Sequence, residues 1–537
     1  MKTHFLVLLA LGALAVGLPL HAAGPLPGSS PERTALPASL TPPAPATPRI
    51  NGPSVFGVRP GSPFVYVIPA TGERPMTFAA EGLPQGLTLD AATGHITGSL
   101  PKAGTNPVTL IARNAKGEAR KSFSIIAGEQ IALTPPMGWN SWNCWHTGVD
   151  QEKMIRSANA LKAAGLDRHG WSYLNIDDAW QGIRGGSNNA LQPNKKFPDI
   201  AGMVARFHAM GLKAGIYHTP WVMSYAGYCG GTSEDPSGLW DPKKQWPGNK
   251  PPNQKILPKA IGRYSFVRQD ARQFGDWGFD YLKYDWNPIE APDVILMHRA
   301  LRDSGRDIIL SLSNNHQDTL SKTISEVAPH AESWRTTTDI SDTWCSIKGI
   351  GFGQGKWAPY QSPGHFNDPD MFEIGANGGG KPKRLSPDEQ YTHVSLWCLL
   401  SAPLLLGCDL EHLDPFTLGL ITNDEVLALD QDALCKQAKC VSPEGSLKVY
   451  VKELADGTKA VGLFNTGEAP VMVTLDWGQA GLTGRQVLRD LWRQKDLGTF
   501  EKSYRAEVPV HGVVLLKATP ADLSTRPHAP HNSSPPT

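Results

Sequence analysis

The sequence has almost no excess of either charge, because its 537 residues contain 51 lysines and arginines against 50 aspartates and glutamates. This balance lacks the basic surface on which nucleic-acid binding depends, and it lacks the polybasic stretch of a membrane-surface anchor. Beyond its first segment, the chain also has no run of eighteen apolar residues, so we expect no membrane span. Nucleic acid and membrane are therefore excluded as expected partners.

Cysteine is scarce. The seven cysteines are an odd number in a long chain, which is not the pattern of a disulfide framework. No CxxC pair is present, so neither a zinc ribbon nor a redox pair is indicated. Cys435 and Cys440 are close enough in sequence to form a bridge, and a free pair is an equally good interpretation. HExxH, GxSxG, EF-hand and complete P-loop motifs are also missing, and we expect no metal and no cofactor.

Both ends of the chain have compositions unlike the middle. Residues 1–23 begin with the basic Lys2, continue with an apolar run and end in two alanines, which is typical of a secretory signal peptide. We therefore expect export, to the periplasm or outside the cell. Residues 24–49 are rich in proline and alanine and predict a linker. Residues 519–537 are rich in proline, serine and histidine and predict a disordered tail.

Three folded segments are predicted between the linker and the tail. Residues 50–128 contain short β-type runs separated by turn residues, which predicts a small sandwich, and their stretch 82–98 resembles bacterial Ig-like modules. In residues 129–432, short apolar runs alternate with helical patterns. Residues 433–518 return to β-type runs, at 448–451, 459–463, 471–475 and 513–516, and predict a C-terminal antiparallel β domain.

The middle segment has the pattern of a (β/α)8 barrel. Amphipathic helices are predicted at residues 152–164 and 200–210, between the first three strands. Eight strands joined by helical crossovers over about 290 residues match this fold. The predicted strands are residues 137–142, 172–177, 213–217, 281–285, 308–313, 332–338, 365–370 and 403–408.

Charged side chains stand where several predicted barrel strands end, and the carboxyl ends of barrel strands meet on the face where active sites form. Two carboxylates on either side of a sugar bond are what glycoside hydrolysis requires. Helix capping or simple ion pairing would explain any one of these residues, but it is a weaker explanation of the whole set. The residues are Asp177, Asp178, Lys283, Asp285, Arg335, Asp339, Asp368 and Asp370. The 16 tryptophans fit sugar stacking, or a core rich in tryptophan.

Five successive motifs resemble the signatures of family 27 glycoside hydrolases, the melibiase-type α-galactosidases. They occur in the family's order and spacing, and the resemblance covers about residues 133–440. The motifs are TPPMGWNSW at 134–142, IDDAW at 176–180, LKYD at 282–285, WRTTTDI at 334–340 and NDPDM at 367–371.

The resemblance implies a retaining double displacement. Asp285 would be the nucleophile and Asp339 the general acid and then the general base, placed in a poorly solvated spot that raises its pKa. Asp368 and Asp370 would have a supporting, structural role. The family positions for substrate binding fall on Trp142, Asp177, Asp178, Tyr217, Lys283, Ser313, Arg335 and Met371.

The sequence departs from the family pattern in places that bear on the substrate. Many family members have a glutamate that contacts the sugar 2-hydroxyl where this chain has the small, neutral Ser313. A smaller residue makes room for a 2-acetamido group, and Asn314 or Asn315 could instead contact the hydroxyl. Asn287 replaces a cysteine of the family, which leaves Cys229 without that partner. The proline-rich insertion at 230–263 either rims the pocket or is a solvated excursion.

The expected partner is a galactose-containing oligo- or polysaccharide, cut by an exo-acting α-galactosidase. Two alternatives keep the mechanism and change the sugar, to an α-N-acetylgalactosaminide or a β-L-arabinopyranoside. A third alternative is a carbohydrate-binding protein with an inactive barrel, and the presence of both Asp285 and Asp339 argues against it. The sequence carries no signal for an oligomeric state.

Overall fold

The computed structural model describes residues 37–239, 259–313, 317–442 and 445–524. The predicted signal peptide and most of the predicted linker lie outside these ranges. So do residues 240–258 of the insertion and residues 525–537 of the predicted tail.

The centre of the chain forms a parallel eight-stranded sheet. In chain order its strands are β1 to β8, and in space the order is β7-β6-β5-β4-β3-β2-β1-β8. A parallel bridge between Phe372, just past β7, and Leu406 in β8 brings the two ends of the sheet together. The sheet is therefore a barrel, as the sequence predicts. The strands β1 to β8 are Met137–Asn140, Tyr173–Asn175, Lys213–His218, Tyr281–Asp285, Ile309–Ser313, Ser333–Arg335, Phe366–Asp368 and Leu404–Leu406.

Helices connect the strands and cover the barrel. Several of their N-termini are capped by a side chain. The Asp150 side chain accepts from the Lys153 N–H, for example, and Ser386 forms a capping box with Glu389. The connecting helices are Gln151–Ala163, Ile200–Ala209, Val267–Trp277, Ala291–Arg302, Gln317–Val327, Trp344–Gly351 and Pro387–Leu400, followed after β8 by Pro415–Ile421 and Asp424–Asp430. Shorter helices are Trp142–Trp145, His146–Gly148, Leu166–His169, Ala328–His330, Gln354–Tyr360 and Leu410–His412. Short strand pairs on the loops are Gln181–Gly185 with Ala190–Pro193 and Thr232–Ser233 with Tyr264–Ser265.

Before the barrel, two small sheets enclose their own apolar core, in which Phe64, Ile96, Leu110 and Ile125 are buried. This is the sandwich that the short β-type runs separated by turn residues predict. The four-stranded sheet contains Val55–Val58, Gly117–Ala127, Gly104–Asn114 and Thr77–Glu81, the three-stranded sheet contains Pro63–Val67, His95–Ser99 and Leu87–Leu89, and Arg49–Ile50 pairs with Ala70–Thr71.

After the barrel, an antiparallel six-stranded sheet and a two-stranded sheet form the C-terminal region. Its core includes Val461, Leu463, Leu475 and Leu516. The six-stranded sheet has the order Lys439–Ser442, Leu447–Glu453, Lys459–Asn465, Val513–Pro520, Gln486–Asp490 and Lys495–Phe500. Val471–Asp476 pairs with Ser503–Val508, and short helices lie at Trp477–Ala480 and Ala521–Ser524.

Regular structure extends beyond both predicted boundaries. Thr519 pairs with Val487 in the last strand, so the tail cannot begin at residue 519. Composition predicted that start, but a strand needs only a neighbouring strand with free backbone groups. At the other end, Thr41 in the predicted linker donates from its hydroxyl to the carbonyl of Gly419, at 2.7 Å. This part of the linker is therefore attached to the barrel.

Most tryptophans serve the core. Ten of the 16 are buried, and seven of those are among the largest fully buried side chains, which favours packing over sugar stacking for those positions. Within the described ranges, every helix is too short or too polar to cross a membrane.

Candidate active site

Asp177 lies just after β2 and is held from three sides. Its N–H donates to the Ser141 hydroxyl at 2.9 Å, and its carboxylate accepts from the Asp178 N–H at 2.8 Å. Across the barrel opening, Lys283 in β4 donates from Nζ to Asp177 Oδ2 at 2.8 Å. Strands β2 and β4 flank β3, so this ion pair spans three adjacent strands at their carboxyl ends. These three contacts hold the Asp177 carboxylate on the active face, where it can accept hydrogen bonds.

Asp178 has a different environment, because backbone groups surround its carboxylate. Oδ1 accepts from the Ala179 N–H at 2.6 Å, and Oδ2 accepts from the Ala226 N–H at 2.8 Å. Burial raises the pKa of Asp178, and these hydrogen bonds work in the opposite direction. The residue therefore ties the loop that follows β3 to the end of β2.

Asp285 is the last residue of β4 and is buried. It stands opposite Ser313, the last residue of β5, in the strand register. Burial raises the pKa of the neighbouring Tyr217 phenol well above its ordinary value, and the negative charges of Asp285 and Asp178 raise it further. Tyr217 at the end of β3 therefore keeps its proton and faces the carboxylates as a neutral hydroxyl.

Lys283 stays positively charged although it is enclosed. Burial opposes its charge, but the negative charges of Asp177, Asp285 and Asp339 outweigh that effect, and its pKa lies above the ordinary lysine value. A cation in this position favours the ionised form of the carboxylates around it. Lys283 therefore interacts electrostatically with three of the predicted site residues.

Arg335 ends β6 and holds the loop that carries Asp339. Its Nη2 lies 3.1 Å from Asp339 Oδ1 and 2.8 Å from Asp370 Oδ2. Asp370 also accepts from the Ile340 N–H at 2.8 Å, which fixes the residue next to Asp339. Burial opposes the charge of Arg335, but the neighbouring carboxylates raise its pKa above the ordinary value. Arg335 and Asp370 therefore position Asp339.

The expectation that Asp339 lies in a poorly solvated spot is wrong for this structure, because its side chain is 75% exposed. The physical reason is its position. β6 ends at Arg335, and Asp339 stands four residues further on, on a loop that faces solvent. The sequence motif identified Asp339 but contained no information about the depth of its loop.

Asp368 and Asp370 support the site from β7. Asp368 accepts from the Asp370 N–H at 2.7 Å, and burial raises its pKa to about 6, against the opposing charge of Arg335. Asp370 adopts a φ of 84°, a strained value for a residue with a side chain. The Trp397 indole N–H donates to its carbonyl at 2.7 Å and helps to hold that conformation.

The remaining predicted residues differ in accessibility. Trp142 is half-buried at the start of its short helix and stands edge-to-face with His146. Ser313 is buried, and its hydroxyl has no hydrogen-bond partner among the described residues. Met371 is buried and packs in the barrel interior with Tyr281 and Leu405. Asn314 and Asn315, named as alternatives for the 2-hydroxyl contact, lie outside the described residues.

Sequence reasoning missed two residues of this site. Ser141 holds the backbone of Asp177, and its place inside the first motif was an available signal. Tyr225 on the loop after β3 is half-buried, and the charges of both Asp285 and Asp339 act on it. No pattern in the sequence distinguishes Tyr225 from the other residues of its loop.

Cation sites and cross-links do not explain the cluster. In the parts of the chain that the structure describes, no group of three or more His, Cys, Asp or Glu side chains is arranged to hold a metal ion. All seven cysteines lie in those parts, and none forms a disulfide, including the candidate pair Cys435 and Cys440. Ion pairs and backbone hydrogen bonds therefore hold these carboxylates in place.

A (β/α)8 barrel with buried and exposed carboxylates, two cations and a tyrosine on its active face is the framework of a glycoside hydrolase. The family model described as Alpha galactosidase A matches residues 134–236 and 256–432, which is more than half of the chain. This protein therefore belongs to that family, the melibiases of glycoside hydrolase family 27. Its C-terminal β-sandwich model matches residues 444–518, and an Ig domain model matches residues 47–127.

Similar proteins extend over the catalytic and C-terminal regions. Alpha-galactosidase 2 of Arabidopsis thaliana is 34% identical over 399 residues, covering 72% of this chain and 90% of the relative. A crystal structure from Bacteroides fragilis has a TM-score of 0.78 and 30% identity, and the match covers 88% of this chain and 98% of that chain. A GH27 β-L-arabinopyranosidase from Geobacillus stearothermophilus has a TM-score of 0.60 and 26% identity, covering 73% and 97% of the two chains.

Proposed function

We propose that this protein is an exo-acting, retaining α-galactosidase that removes terminal α-D-galactosyl residues from oligo- or polysaccharides. The observation that carries the proposal is the ion pair between Lys283 and Asp177, 2.8 Å long, in the same strand end that carries Asp285. A nucleophilic carboxylate must remain ionised, and a neighbouring lysine meets that need. The name of the similar Arabidopsis relative supports galactose as the sugar.

In the first step, the Asp285 carboxylate attacks the anomeric carbon and the bond to the leaving oxygen breaks. Asp339 gives its proton to that oxygen, which leaves a galactosyl ester on Asp285. In the second step, Asp339 takes a proton from water, and the water oxygen attacks the same carbon. Galactose departs and the Asp285 carboxylate is restored. Retention requires the two carboxyl groups to be about 5–5.5 Å apart.

The side chain of Asp339 is exposed, and its Oδ1 lies 3.1 Å from Arg335 Nη2. Water can therefore reach it for the second step.

Asp177 and Asp178 would accept hydrogen bonds from the sugar hydroxyls. Lys283, Arg335 and Tyr217 would donate hydrogen bonds to them. Unpaired hydroxyls in a closed site are costly, which is why charged partners give specificity. Trp142 and Met371 would supply the apolar wall. Ser313 would face the 2-position of the sugar. Because its side chain is small, the experiment below also tests the N-acetylgalactosaminide and arabinopyranoside alternatives.

The test is hydrolysis of three nitrophenyl glycosides: α-galactoside, α-N-acetylgalactosaminide and β-L-arabinopyranoside. We expect the α-galactoside to have the largest kcat/KM. Asp285→Asn keeps the shape of the nucleophile and removes its charge, so it should abolish turnover without loss of folding. Dominant cleavage of another sugar would overturn the assignment of galactose as the substrate. Full activity of Asp285→Asn would overturn the proposed mechanism.

We also propose that the protein is exported and acts in the periplasm or outside the cell. The support is the composition of residues 1–23, with a basic start, an apolar run and a small-residue end.

A further inference from the structure

Tyr225 lies on the excursion that leaves the barrel after β3, and this excursion is anchored beside it. The N–H of Ala226 donates to Asp178 Oδ2 at 2.8 Å, so the next residue in the chain is tied to a buried carboxylate of the sugar site. Further along, Gly230 donates to the carbonyl of Val222 at 2.9 Å and closes the turn. The position of Tyr225 is therefore set by the active face.

The ring of Tyr225 is also held from its sides. Trp221 is buried, and its ring centroid lies 5.0 Å from that of Tyr225. Lys259, on the returning limb of the excursion, places its Nζ 4.3 Å from the centre of the Tyr225 ring. A bridge between Trp221 and Ile261 joins the two limbs. Tyr225 is thus a supported, half-buried side chain on the loop bonded to Asp178.

The hydroxyl of Tyr225 lies within electrostatic reach of both proposed catalytic carboxylates. Burial raises its pKa, and the charges of Asp285 and Asp339 raise it further, with Lys283 and Arg335 acting in the opposite direction. The phenol therefore keeps its proton at any pH at which the enzyme would work. It is a neutral hydrogen-bond donor, one residue away from the Ala226 N–H that is bonded to Asp178.

We propose that Tyr225 binds the leaving-group sugar of a galactosyl oligosaccharide through its hydroxyl and so determines which leaving groups the enzyme prefers. The inference rests on the proposed function. In an exo-acting pocket the terminal sugar occupies the closed end, where Asp177, Asp178 and Lys283 lie, and the leaving group points toward the mouth. Tyr225 is half-buried on the loop after β3, beside the residue that is bonded to Asp178, which places it on the side from which the leaving group would extend.

The experiment compares two substrates with the same galactosyl unit. One is an α-galactosyl-(1→6)-glucose disaccharide, whose leaving sugar can reach Tyr225, and the other is α-galactosyl fluoride, whose leaving group is too small to do so. For Tyr225→Phe we expect kcat/KM to fall about tenfold on the disaccharide and to change less than about twofold on the fluoride. Inhibition by free galactose should be unchanged.

Tyr228→Phe is the matched control, because Tyr228 is on the same loop and its ring faces Lys196, with Nζ at 5.5 Å from the ring centre. It should behave as wild type on both substrates. Equal losses on both substrates for Tyr225→Phe, or no loss on either, would overturn the leaving-group role. If wild-type protein cleaves neither substrate, the proposed function is wrong, and the leaving-group role of Tyr225 is wrong with it.

Discussion

Two cations of this site, Lys283 and Arg335, pair with different carboxylates. Lys283 lies among the carboxylates of Asp177 and Asp285 inside the barrel, whereas Arg335 lies between Asp370 and the exposed Asp339. The inner cation favours an ionised nucleophile. The outer cation positions the acid on its loop and leaves it open to water.

Replacing Asp339 tests the acid role directly. Asp339→Ala should lower kcat/KM on galactosyl disaccharides by about 10²- to 10⁴-fold, because a sugar alkoxide leaves poorly without a proton. Galactosyl fluoride, which needs no proton, should lose far less in the first step. Added azide, which needs no general base, should speed the second step and yield a galactosyl azide.

Asp342→Ala is the control for that substitution. Asp342 stands on the same loop, but it pairs with Arg384 at 2.6 Å on the protein surface. Its loss should leave the ratio of rates on the two substrates near the wild-type value. A uniform small loss on all substrates for Asp339→Ala would argue against an acid role.

At the opposite end of the barrel, the buried acid Glu332 links β6 to β5. Glu332 precedes β6 and accepts from the N–H of Leu310 in β5 at 2.7 Å and from Arg302 at 3.2 Å. Burial raises its pKa to about 7, although Arg302 works against this. The neutral acid is therefore favoured in the fold. Its contribution to stability is complete below pH 4.5 and is lost as the pH rises through about 7.

The element-scale prediction concerns Glu332→Gln, whose amide cannot ionise. The free energy of unfolding of this variant, relative to wild type, should rise between pH 4.5 and 8 by up to about 3 kcal/mol. Urea unfolding at several pH values measures it. Glu326→Gln, on the exposed side of the preceding helix, should show no such pH-dependent difference. A constant gap between Glu332→Gln and wild type at all pH values would contradict the prediction.

The whole molecule is organised around the two faces of the barrel. Arg59 of the Ig-like sandwich donates from Nε to Asp307 at 2.7 Å and from Nη2 to the carbonyl of Arg306 at 2.7 Å. Asn51 donates to the carbonyl of Arg168 at 3.0 Å. These partners precede β5 and β2, so the sandwich packs on the amino-end face, opposite the active site. Its contacts favour a role in holding the barrel over a role in binding substrate.

The molecule-scale prediction is that Arg59→Ala loosens this attachment. Removing a partly buried ion pair and its carbonyl bonds should cost about 2–4 kcal/mol and increase proteolysis between the sandwich and the barrel. Activity on small galactosides should stay close to wild type. Arg113→Ala, which breaks an exposed pair with Glu118 in the same sandwich, should destabilise the protein much less than Arg59→Ala. Equal effects of the two variants would contradict the docking role of Arg59.

Much of the architecture was predictable because it depends on local periodicity. Seven of the eight predicted barrel strands contain the observed strand, and the prediction 213–217 stops one residue short of the observed strand there. The ends of the predicted helices 152–164 and 200–210 lie within one residue of the observed ends. The limits of the ordered chain were less predictable. The strand through Thr519 and the hydrogen bond from Thr41 both depend on distant partners, and composition does not reveal such partners.

The sequence by itself determined the fold class, the family and the set of charged residues at the strand ends, because strand spacing and side-chain parity are properties of a short stretch of chain. Only the tertiary structure decided how those charges pair, how exposed Asp339 is, that Tyr225 joins the site, and which face the sandwich covers. These depend on residues up to hundreds of positions apart, and burial and Coulomb interactions act through space rather than along the chain.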